Sequence, residues 1–318
     1  MKVLVTGGAG YIGSHVVLAL CEEGNNVVVL DDLSTGNREA VDKRALFIQG
    51  STLNDDDLSN GLNDVDAVIH LAAFKAAGES MIHPEKYSHN NITGTITLLN
   101  AMVKHGVNKF IFSSTAAVYG YPKYLPLDEN HSLEPINYYG FTKLEIERIL
   151  EWYGELKGLR FAALRYFNAA GYDSLGRTTS LENNPENLIP IVMEVASGRR
   201  KKMEVFGDDY DTDDGTGVRD YIHVTDLATA NIKCIEYLNE NTSLTVNLAT
   251  GESHSVMDII NLTKEISGRD IPFDIVDRRP GDPAKLYAST NQAFKALNWE
   301  AEYSDLKTLL ETTWKVYQ

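Results

Sequence analysis

The chain has 318 residues, of which 43% are hydrophobic and 23% are charged, as is ordinary for a globular protein with a substantial core. Its formal net charge of −16 at pH 7 is not countered by any basic stripe, which argues against nucleic acid as a partner. No apolar run approaches the ~18 residues of a transmembrane helix, so no membrane contact is expected.

The first residues predict a strand, a glycine turn and a helix. Residues 2–6 form a short apolar run suited to a buried strand, and an apolar helical pattern follows the glycines. Between them, Gly7, Gly10 and Gly13 give the pattern G-x-x-G-x-x-G, which overlaps with a G-x-G-x-x-G that starts at Gly8. Such glycines let the backbone turn tightly, approach a pyrophosphate and bring the helix close to the strand.

An acidic pair ends the second predicted strand. The apolar run at 27–30 is followed by Asp31 and Asp32, and Asp31 lies 18 residues beyond Gly13. A carboxylate at this place accepts hydrogen bonds from the adenosine ribose and repels a 2′-phosphate. The stretch therefore predicts a dinucleotide site that prefers NAD to NADP, with the phosphates at the helix N-terminus.

Apolar runs and helical patterns alternate through the rest of the first half. Further strands are predicted at 45–49, 67–72, 109–113 and 160–166, and long helices at 84–104 and 137–157. This alternation predicts an α/β fold, a Rossmann-type doubly wound parallel sheet with helices on both faces. Ligands of such sheets bind at the carboxyl ends of the strands.

After residue 170 the character of the sequence changes. Residues 172–186 and 207–217 are polar and are interpreted as long loops, which inside a compact domain are usually functional. Shorter elements are predicted at 187–198, 225–239, 244–248, 256–267, 273–276, 290–297 and 304–317. We predict an NAD-binding Rossmann domain at 1–170 and a smaller α/β substrate domain at 171–318, with 219–249 packing back on the first sheet.

A strand-end hydroxyl and a Tyr-x-x-x-Lys pattern predict a catalytic site. Thr115 follows the fifth strand, where side chains point into the ligand crevice. Tyr139 and Lys143 lie four residues apart in the next long helix, so their side chains share one face. A phenol has an ordinary pKa near 10, and it becomes a base at neutral pH only if cations such as Lys143 and an oxidised nicotinamide ring stabilise its anion.

Three other Tyr-x-x-x-Lys patterns are weaker candidates. The one that starts at Tyr119 contains a helix-breaking proline, and the one at Tyr303 has no strand end before it. The pattern at Tyr153 shares the helix of Tyr139 but lies 14 residues further along, which is ~21 Å of helix from the strand end. Tyr139 is therefore the predicted base.

The cysteines and the absence of metal-binding motifs restrict the chemistry further. Cys21 and Cys234 cannot make a disulfide framework, and both fall in apolar helical contexts, which predicts a reduced, cytoplasmic protein. Neither C-x-x-C nor H-E-x-x-H occurs, so no metal site is expected. Because the first residues already form the cofactor strand, no signal peptide is expected either.

Together these motifs resemble the extended short-chain dehydrogenase/reductase family, and within it the UDP-hexose 4-epimerases. The stretches that carry the resemblance are the glycine turn, Thr115, Tyr139-x-x-x-Lys143, and residues 72–80, 165–168 and 213–224. The resemblance implies an isomerase of galactose metabolism that uses NAD to interconvert UDP-galactose and UDP-glucose. The reaction would run by C4 oxidation, rotation of a 4-keto intermediate and re-reduction, and the enzyme would be a homodimer built on the two long helices.

The residues after Thr115 separate this reaction from its neighbours in the family. Ala116 and Ala117 stand where related dehydratases and decarboxylases carry acidic residues, so the usual catalyst of elimination is missing. An epimerase of UDP-N-acetylglucosamine or of another nucleotide sugar remains an alternative, and a non-catalytic NAD-binding sensor is a less favoured one.

The resemblance also implies roles for individual residues, with Tyr139, Lys143 and Thr115 as the catalytic set. The cofactor site would comprise Gly7, Gly10, Tyr11, Ile12, Gly13, Asp31, Asp32, Lys75, Asn90, Tyr139, Lys143 and Phe167. The substrate site would comprise Thr115, Asn168, Asn187, Leu188, Phe206, Arg219, Tyr221, Arg279, Asp282 and Leu286. Two of these, Arg219 and Arg279, would meet the pyrophosphate, where bidentate donors fit.

Two positions depart from the family pattern. Ser51 stands where the family usually has an aspartate facing the adenine, so that contact is weaker or remade. Leu286 stands at the gate of the sugar pocket, where a tyrosine tends to exclude N-acetylhexosamines and a small residue admits them. Leucine is intermediate in size, which leaves the breadth of substrates open.

Overall fold

A parallel β-sheet forms the centre of the computed structural model, which describes residues 1–182, 185–279 and 281–318. The described strands are β1 (Lys2–Thr6), β2 (Asn26–Asp31), β3 (Leu46–Gln49), β4 (Ala67–His70), β5 (Lys109–Thr115), β6 (Arg160–Tyr166), β7 (Asn168–Ala170), β8 (Met203–Phe206), β9 (Val218–Arg219), β10 (Tyr221–His223), β11 (Ser243–Leu248), β12 (His254–Ser255), β13 (Phe273–Val276) and β14 (Lys285–Leu286).

The helices alternate with the strands along the first half of the chain. The described α-helices are α1 (Tyr11–Glu22), α2 (Asp55–Gly61), α3 (Ala77–Ser80), α4 (Pro84–Tyr87), α5 (Gly94–His105), α6 (Tyr138–Lys157), α7 (Leu188–Ala196), α8 (Val224–Tyr237), α9 (Val256–Ser267), α10 (Asn291–Leu297) and α11 (Leu306–Tyr317). None of the helices in the described residues is both long and apolar enough to cross a membrane.

The main sheet has seven parallel strands in the order β11-β6-β5-β4-β1-β2-β3. One face is covered by an apolar core to which α1 and α8 contribute, and the other by a core built from α2, α5 and α6. β1 lies between β2 and β4, so the direction of winding reverses beside the glycine turn that follows β1. The predicted Rossmann-type α/β fold is confirmed, and the crevice at this reversal is where such folds bind ligands.

The predicted long helix at 84–104 contains a π-helical segment, Ser88–Thr93, between α4 and α5. The segment presents Asn91, whose buried amide donates to the Phe74 carbonyl oxygen at 3.0 Å and accepts from the Phe74 N–H at 2.9 Å. An extra residue in a helical turn is often found at a functional site. Here the two hydrogen bonds of Asn91 connect the loop after β4 to the helix.

The second half of the chain contributes small sheets and a separate apolar cluster. β7 pairs with β10, β9 lies between β12 and β14, and β8 pairs with β13. The cluster is formed mainly by side chains of α7, α9 and α11. Within 219–249, β11 extends the main sheet beside β6 and α8 packs against α1. No helix or strand lies in 207–217 or in the described residues of 172–186.

Candidate active site

The three predicted catalytic side chains meet at the carboxyl end of β5. The buried Lys143 donates from Nζ to the Ser113 carbonyl oxygen at 2.7 Å, and this Nζ lies 5.9 Å from the centre of the Tyr139 ring. Thr115 is the last residue of β5, and its hydroxyl lies within hydrogen-bonding reach of the Tyr139 phenol. Helical spacing and the strand end thus bring the hydroxyl, phenol and ammonium groups together.

The start of α6 is held in place from three sides. The Asn137 side chain accepts from the Gly140 N–H at 2.8 Å and so caps the helix, and the Ser80 hydroxyl accepts from the Tyr139 N–H at 3.0 Å. A Cβ at Gly140 would lie 2.6 Å from the carbonyl oxygen of Ala117, in the 3₁₀ segment that follows β5. The glycine inside the Tyr-x-x-x-Lys pattern therefore lets the catalytic helix approach the strand end.

Burial works against ionisation of both Tyr139 and Lys143. It raises the pKa of Tyr139 to about 12, with the Thr115 hydroxyl opposing the change. It lowers the pKa of Lys143 to about 7, with the carboxylate of Glu147 opposing the change. The protein's own side chains therefore favour a neutral phenol and leave the ammonium only partly charged at neutral pH.

The competing tyrosines have structural partners elsewhere. Tyr153 donates its hydroxyl to Asn100 Oδ1 at 2.8 Å and so ties α6 to α5. The buried Tyr119 donates to Asn247 Oδ1 at 2.6 Å and accepts from Arg165 at 2.9 Å. Neither phenol belongs to the cluster around Thr115.

The three glycines at the turn from β1 into α1 differ in how closely other backbone atoms approach them. Gly7 has a φ of +72°, and a Cβ there would lie 2.6 Å from the Ala72 nitrogen. A Cβ at Gly13 would lie only 2.1 Å from the Gly7 carbonyl oxygen, so the turn and α1 touch through backbone atoms. At Gly10, the N-cap of α1, the contact would be 3.3 Å, and no side chain caps the helix. The uncapped first turn presents N–H donors suited to phosphate oxygens.

The two aspartates at the end of β2 lie beside this turn. The buried Asp31 accepts from the N–H groups of Ala9 and Leu33, each at 2.9 Å, and burial raises its pKa. Asp32 is exposed and accepts from the Ser34 N–H at 2.8 Å. A carboxylate oxygen can accept more than one hydrogen bond, so Asp31 can fix the turn and still accept from ribose hydroxyls.

The remaining cofactor candidates have varied surroundings. Tyr11 donates its hydroxyl to the Gly171 carbonyl oxygen at 2.5 Å and packs against Tyr172. The exposed Lys75 forms an ion pair with Glu182, a partner that sequence spacing does not suggest. Other candidates are Asn90, which donates to Asn91 Oδ1 at 3.0 Å, the half-buried Ile12, which packs on the core beside α1, and the buried Phe167.

Two pairs of predicted substrate residues contact each other. Arg219 Nη2 donates to Asp282 Oδ1 at 2.7 Å, with the guanidinium side chain 15% exposed and the carboxylate side chain 40% exposed. The Arg279 guanidinium lies 3.8 Å from the centre of the Phe206 ring, a cation–π contact. Two guanidinium groups and an aromatic face thus lie on neighbouring strands and loops of the second half.

The other predicted substrate residues occupy the small sheets and the start of α7. Asn168 of β7 is in register with the buried Tyr221 of β10, and Leu286 lies in β14. Asn187 is the N-cap of α7 without a side-chain cap, and Leu188 is the first residue of that helix. Leu286 packs on a cluster that includes Ala116, Leu144 and Phe167, which links β14 to the catalytic helix.

Ser51 has local partners at the place of the expected aspartate. Its hydroxyl accepts from the Leu53 N–H at 3.2 Å, and its own N–H donates to Asp57 Oδ2 at 2.9 Å. The turn after β3 is therefore built from a serine and a neighbouring aspartate.

Comparison with known proteins identifies the family. The model of the NAD dependent epimerase/dehydratase family matches residues 3–249. The chain belongs to this family. UDP-glucose 4-epimerase of Halalkalibacterium halodurans is 46% identical, with 99% of this chain and 95% of the relative covered.

Solved structures of the family agree with this assignment. The UDP-glucose 4-epimerase from Brucella ovis in complex with NAD matches with a TM-score of 0.97 and 43% identity, over 99% of this chain and 98% of that one. The UDP-glucose 4-epimerase from Bifidobacterium longum in complex with NAD+ and UDP matches with a TM-score of 0.94 and 37% identity, over 99% and 98%.

One residue that supports the candidate site was not singled out from the sequence. The fully buried Asp220, between Arg219 and Tyr221, accepts from the N–H and hydroxyl of Thr250 at 2.9 Å and from the Gly251 N–H at 3.0 Å. Its own N–H donates to the Leu286 carbonyl oxygen at 3.1 Å. Burial raises the pKa of Asp220 to about 6. The sequence signal that could have drawn attention to Asp220 is its position inside the stretch 213–224, which carries the family resemblance.

Proposed function

We propose that this chain interconverts UDP-galactose and UDP-glucose by epimerisation at C4, with NAD held through many turnovers. The observation that carries the proposal is the cluster of Thr115, Tyr139 and Lys143 at the carboxyl end of β5, in a chain of the epimerase/dehydratase family. A hydroxyl, a phenol and an ammonium gathered at one strand end can bind a sugar hydroxyl and exchange its proton. The names of the relatives supply the substrate pair.

The residues beside the glycine turn fit a dinucleotide. The uncapped N-terminus of α1 would bind the pyrophosphate through the N–H groups of Tyr11 and Ile12, and Gly10 would leave room for its oxygens. Asp31 and Asp32 would accept from the adenosine ribose. Lys75, Asn90 and Phe167 complete the proposed cofactor site. When bound, NAD supplies a reversible hydride acceptor at the sugar C4 and, in its oxidised ring, a positive charge near the phenol.

Tyr139 is the proposed acid–base group. With the pKa of about 12 that the protein's own groups give it, forming the phenolate at pH 7 costs about 7 kcal/mol. Positive charge close to the phenol, including that of Lys143, lowers this cost. Tyr139 then takes the proton of the 4-hydroxyl and returns it after the sugar has turned over. Thr115 would orient the 4-oxygen throughout.

The second half is the proposed UDP site, in a division of labour between an NAD-binding domain at 1–170 and a sugar-nucleotide domain at 171–318. Arg219 and Arg279 would bind the pyrophosphate, because guanidinium groups match its oxygens in pairs. The set that would complete the site comprises Asn168, Asn187, Leu188, Phe206, Tyr221, Asp282 and Leu286. In an acidic chain, these local cations offset a net charge of −16 that would otherwise repel the substrate.

We further propose that the enzyme is a homodimer of galactose metabolism. Large apolar side chains are exposed on α5 and α6, among them Val103 at 42%, Trp152 at 61% and Leu156 at 67%. An exposed apolar face of this kind is typical of a protein–protein interface. The reduced, buried thiols of Cys21 and Cys234 support a cytoplasmic setting.

The experiment incubates the purified protein with UDP-galactose without added NAD, stops the reaction, and then measures UDP-glucose by chromatography. NAD is released by denaturation and quantified. Tyr139→Phe should retain NAD and its melting temperature but lose at least about a hundredfold in kcat, since acid–base catalysis contributes 10² or more. Tyr153→Phe, the matched control on the same helix, should keep full activity.

The outcomes separate the candidate functions. Formation of UDP-glucose by the wild type alone supports the proposal. Bound NAD without turnover of any UDP-sugar would favour a sensor. Full activity of Tyr139→Phe would refute the assignment of the base.

A further inference from the structure

A buried ion pair lies one helical turn beyond the catalytic lysine. Glu147 and Arg165 are 6% and 3% exposed. Arg165 donates from Nη2 to Glu147 Oε2 at 2.7 Å and from Nε to Oε1 at 3.1 Å, and Ser114 donates its hydroxyl to Oε1 at 2.5 Å. Burying two charges is costly even when they are paired, so the pair is weak evidence for a role in stability alone.

Glu147 of this pair lies on the same face of α6 as the proposed catalytic residues. Tyr139, Lys143 and Glu147 follow one another at intervals of four residues along one face of α6. Their partners are the last three residues of β5, with the phenol near Thr115, the ammonium on Ser113 and the carboxylate on Ser114. The helix thus places a phenol, a cation and an anion in order against one strand end.

The groups around Lys143 differ in charge. From β4, the buried His70 faces it and is neutral, because burial and the nearby ammonium lower the pKa of His70 to about 3. From its own helix, Tyr139 lies one turn before it and Glu147 one turn after it, and Arg165 of β6 pairs with the Glu147 carboxylate. Among these four neighbours, only Glu147 carries a negative charge at neutral pH.

We propose that the Glu147 carboxylate, clamped by Arg165 and Ser114, is a positioning residue that keeps the buried Lys143 ammonium charged beneath Tyr139. The inference rests on the proposed function, in which Lys143 stabilises the phenolate. If Glu147 becomes neutral, Arg165 stays charged, because a guanidinium does not lose its proton in proteins. Two buried cations then face each other without an anion between them, and Lys143 is the one that can release its proton.

The direct test follows the protonation of Lys143 itself. Protein labelled with ¹³C at lysine Cε is titrated by NMR without substrate, and the Lys143 signal is assigned by its loss in Lys143→Met. In Glu147→Gln the midpoint should fall by about one pH unit or more, the size of effect that a nearby opposite charge exerts. Glu147→Asp, which keeps the charge, should stay closer to the wild type.

The activity readout is the pH profile. The alkaline limb of kcat should move down with the Lys143 midpoint in Glu147→Gln, giving about a tenfold loss one pH unit above the wild-type limb. The double variant Glu147→Gln with Arg165→Gln removes both charges and should return the limb and the midpoint towards the wild type. Arg165→Gln alone leaves the anion and should raise the midpoint.

Distinct results would overturn the inference. A structural role would lower the melting temperature of Glu147→Gln and its kcat at every pH without moving the midpoint or the limb. If Glu147→Gln does not fold, an unchanged midpoint in Arg165→Gln would refute the inference instead. The NMR titration needs no turnover, so a wild type that does not convert UDP-galactose refutes the proposed function while the lysine test still stands.

Discussion

The contact between Gly13 and the glycine turn can be tested by a single methyl group. In Gly13→Ala the new Cβ would lie 2.1 Å from the Gly7 carbonyl oxygen and 2.8 Å from the Gly8 Cα, so either the turn or α1 must move. Both obstacles are backbone atoms, and overpacking of this kind costs typically 1–3 kcal/mol. We expect the upper end, about 3 kcal/mol, and a melting temperature lower by about 4–5 °C for a chain of this size.

The assay compares Gly13→Ala with Gly10→Ala, each measured with its bound NAD and after NAD has been stripped. Gly10 has φ −79° and ψ 175°, which alanine adopts readily, and its Cβ would meet the Gly7 oxygen at 3.3 Å. Gly10→Ala should therefore cost about 1 kcal/mol without NAD, as a poorer N-cap, yet lose much of its bound NAD. Equal stabilities of the two stripped variants, or full NAD content in Gly10→Ala, would contradict the separation of roles.

Two further predictions concern the rest of the molecule. The pKa of Asp220 is raised from 3.8 to about 6, so its contribution to stability is complete below pH 4 and is lost as the pH rises through 6. Relative to Asp220→Asn, which cannot titrate, the wild type should lose about 2 kcal/mol of unfolding free energy between pH 4 and pH 7. Urea titrations at several pH values measure this, and parallel pH curves would contradict it. Trp152 is 61% exposed on α6, and Trp152→Glu should convert the proposed dimer into a monomer in analytical ultracentrifugation, with NAD content unchanged. A monomeric wild type would refute the interface.

The parts of the fold that the sequence predicted well are those with strong local signals. The strand at residues 2–6 and the one at 160–166 have the predicted bounds, since a short apolar run between turn residues has few other uses. That Thr115, Tyr139 and Lys143 lie together was predictable for a related reason. A strand end fixes Thr115, and helical spacing fixes Lys143 relative to Tyr139, so two local rules place three side chains.

The parts that could not be predicted depend on contacts between distant residues. The π-helical segment has an ordinary helical sequence, and its extra residue is fixed by the hydrogen bonds of Asn91 to Phe74. α2 was missed because its sequence, DDDLSNG, is too polar for an apolar period. The two-residue strands β9, β12 and β14 carry no periodic signal at all. The partners of Lys75 and Glu147 lie on other elements, so no spacing rule could reveal them.

In the proposed mechanism, the charges around the phenol link catalysis to the cofactor. Burial gives Tyr139 a pKa of about 12 and Lys143 one of about 7, so the protein's own groups hold the base protonated at neutral pH. The same burial makes any nearby cation act strongly, because interactions weaken less in a dry site than in water. A phenol with this pKa does not act as a base at neutral pH until a positive charge beside it lowers the pKa. Glu147 then has a definite task, since the share of that charge supplied by the chain depends on Lys143 keeping its proton. If NAD is held through many turnovers, as proposed, this arrangement lets the sugar chemistry begin only when the cofactor is in place.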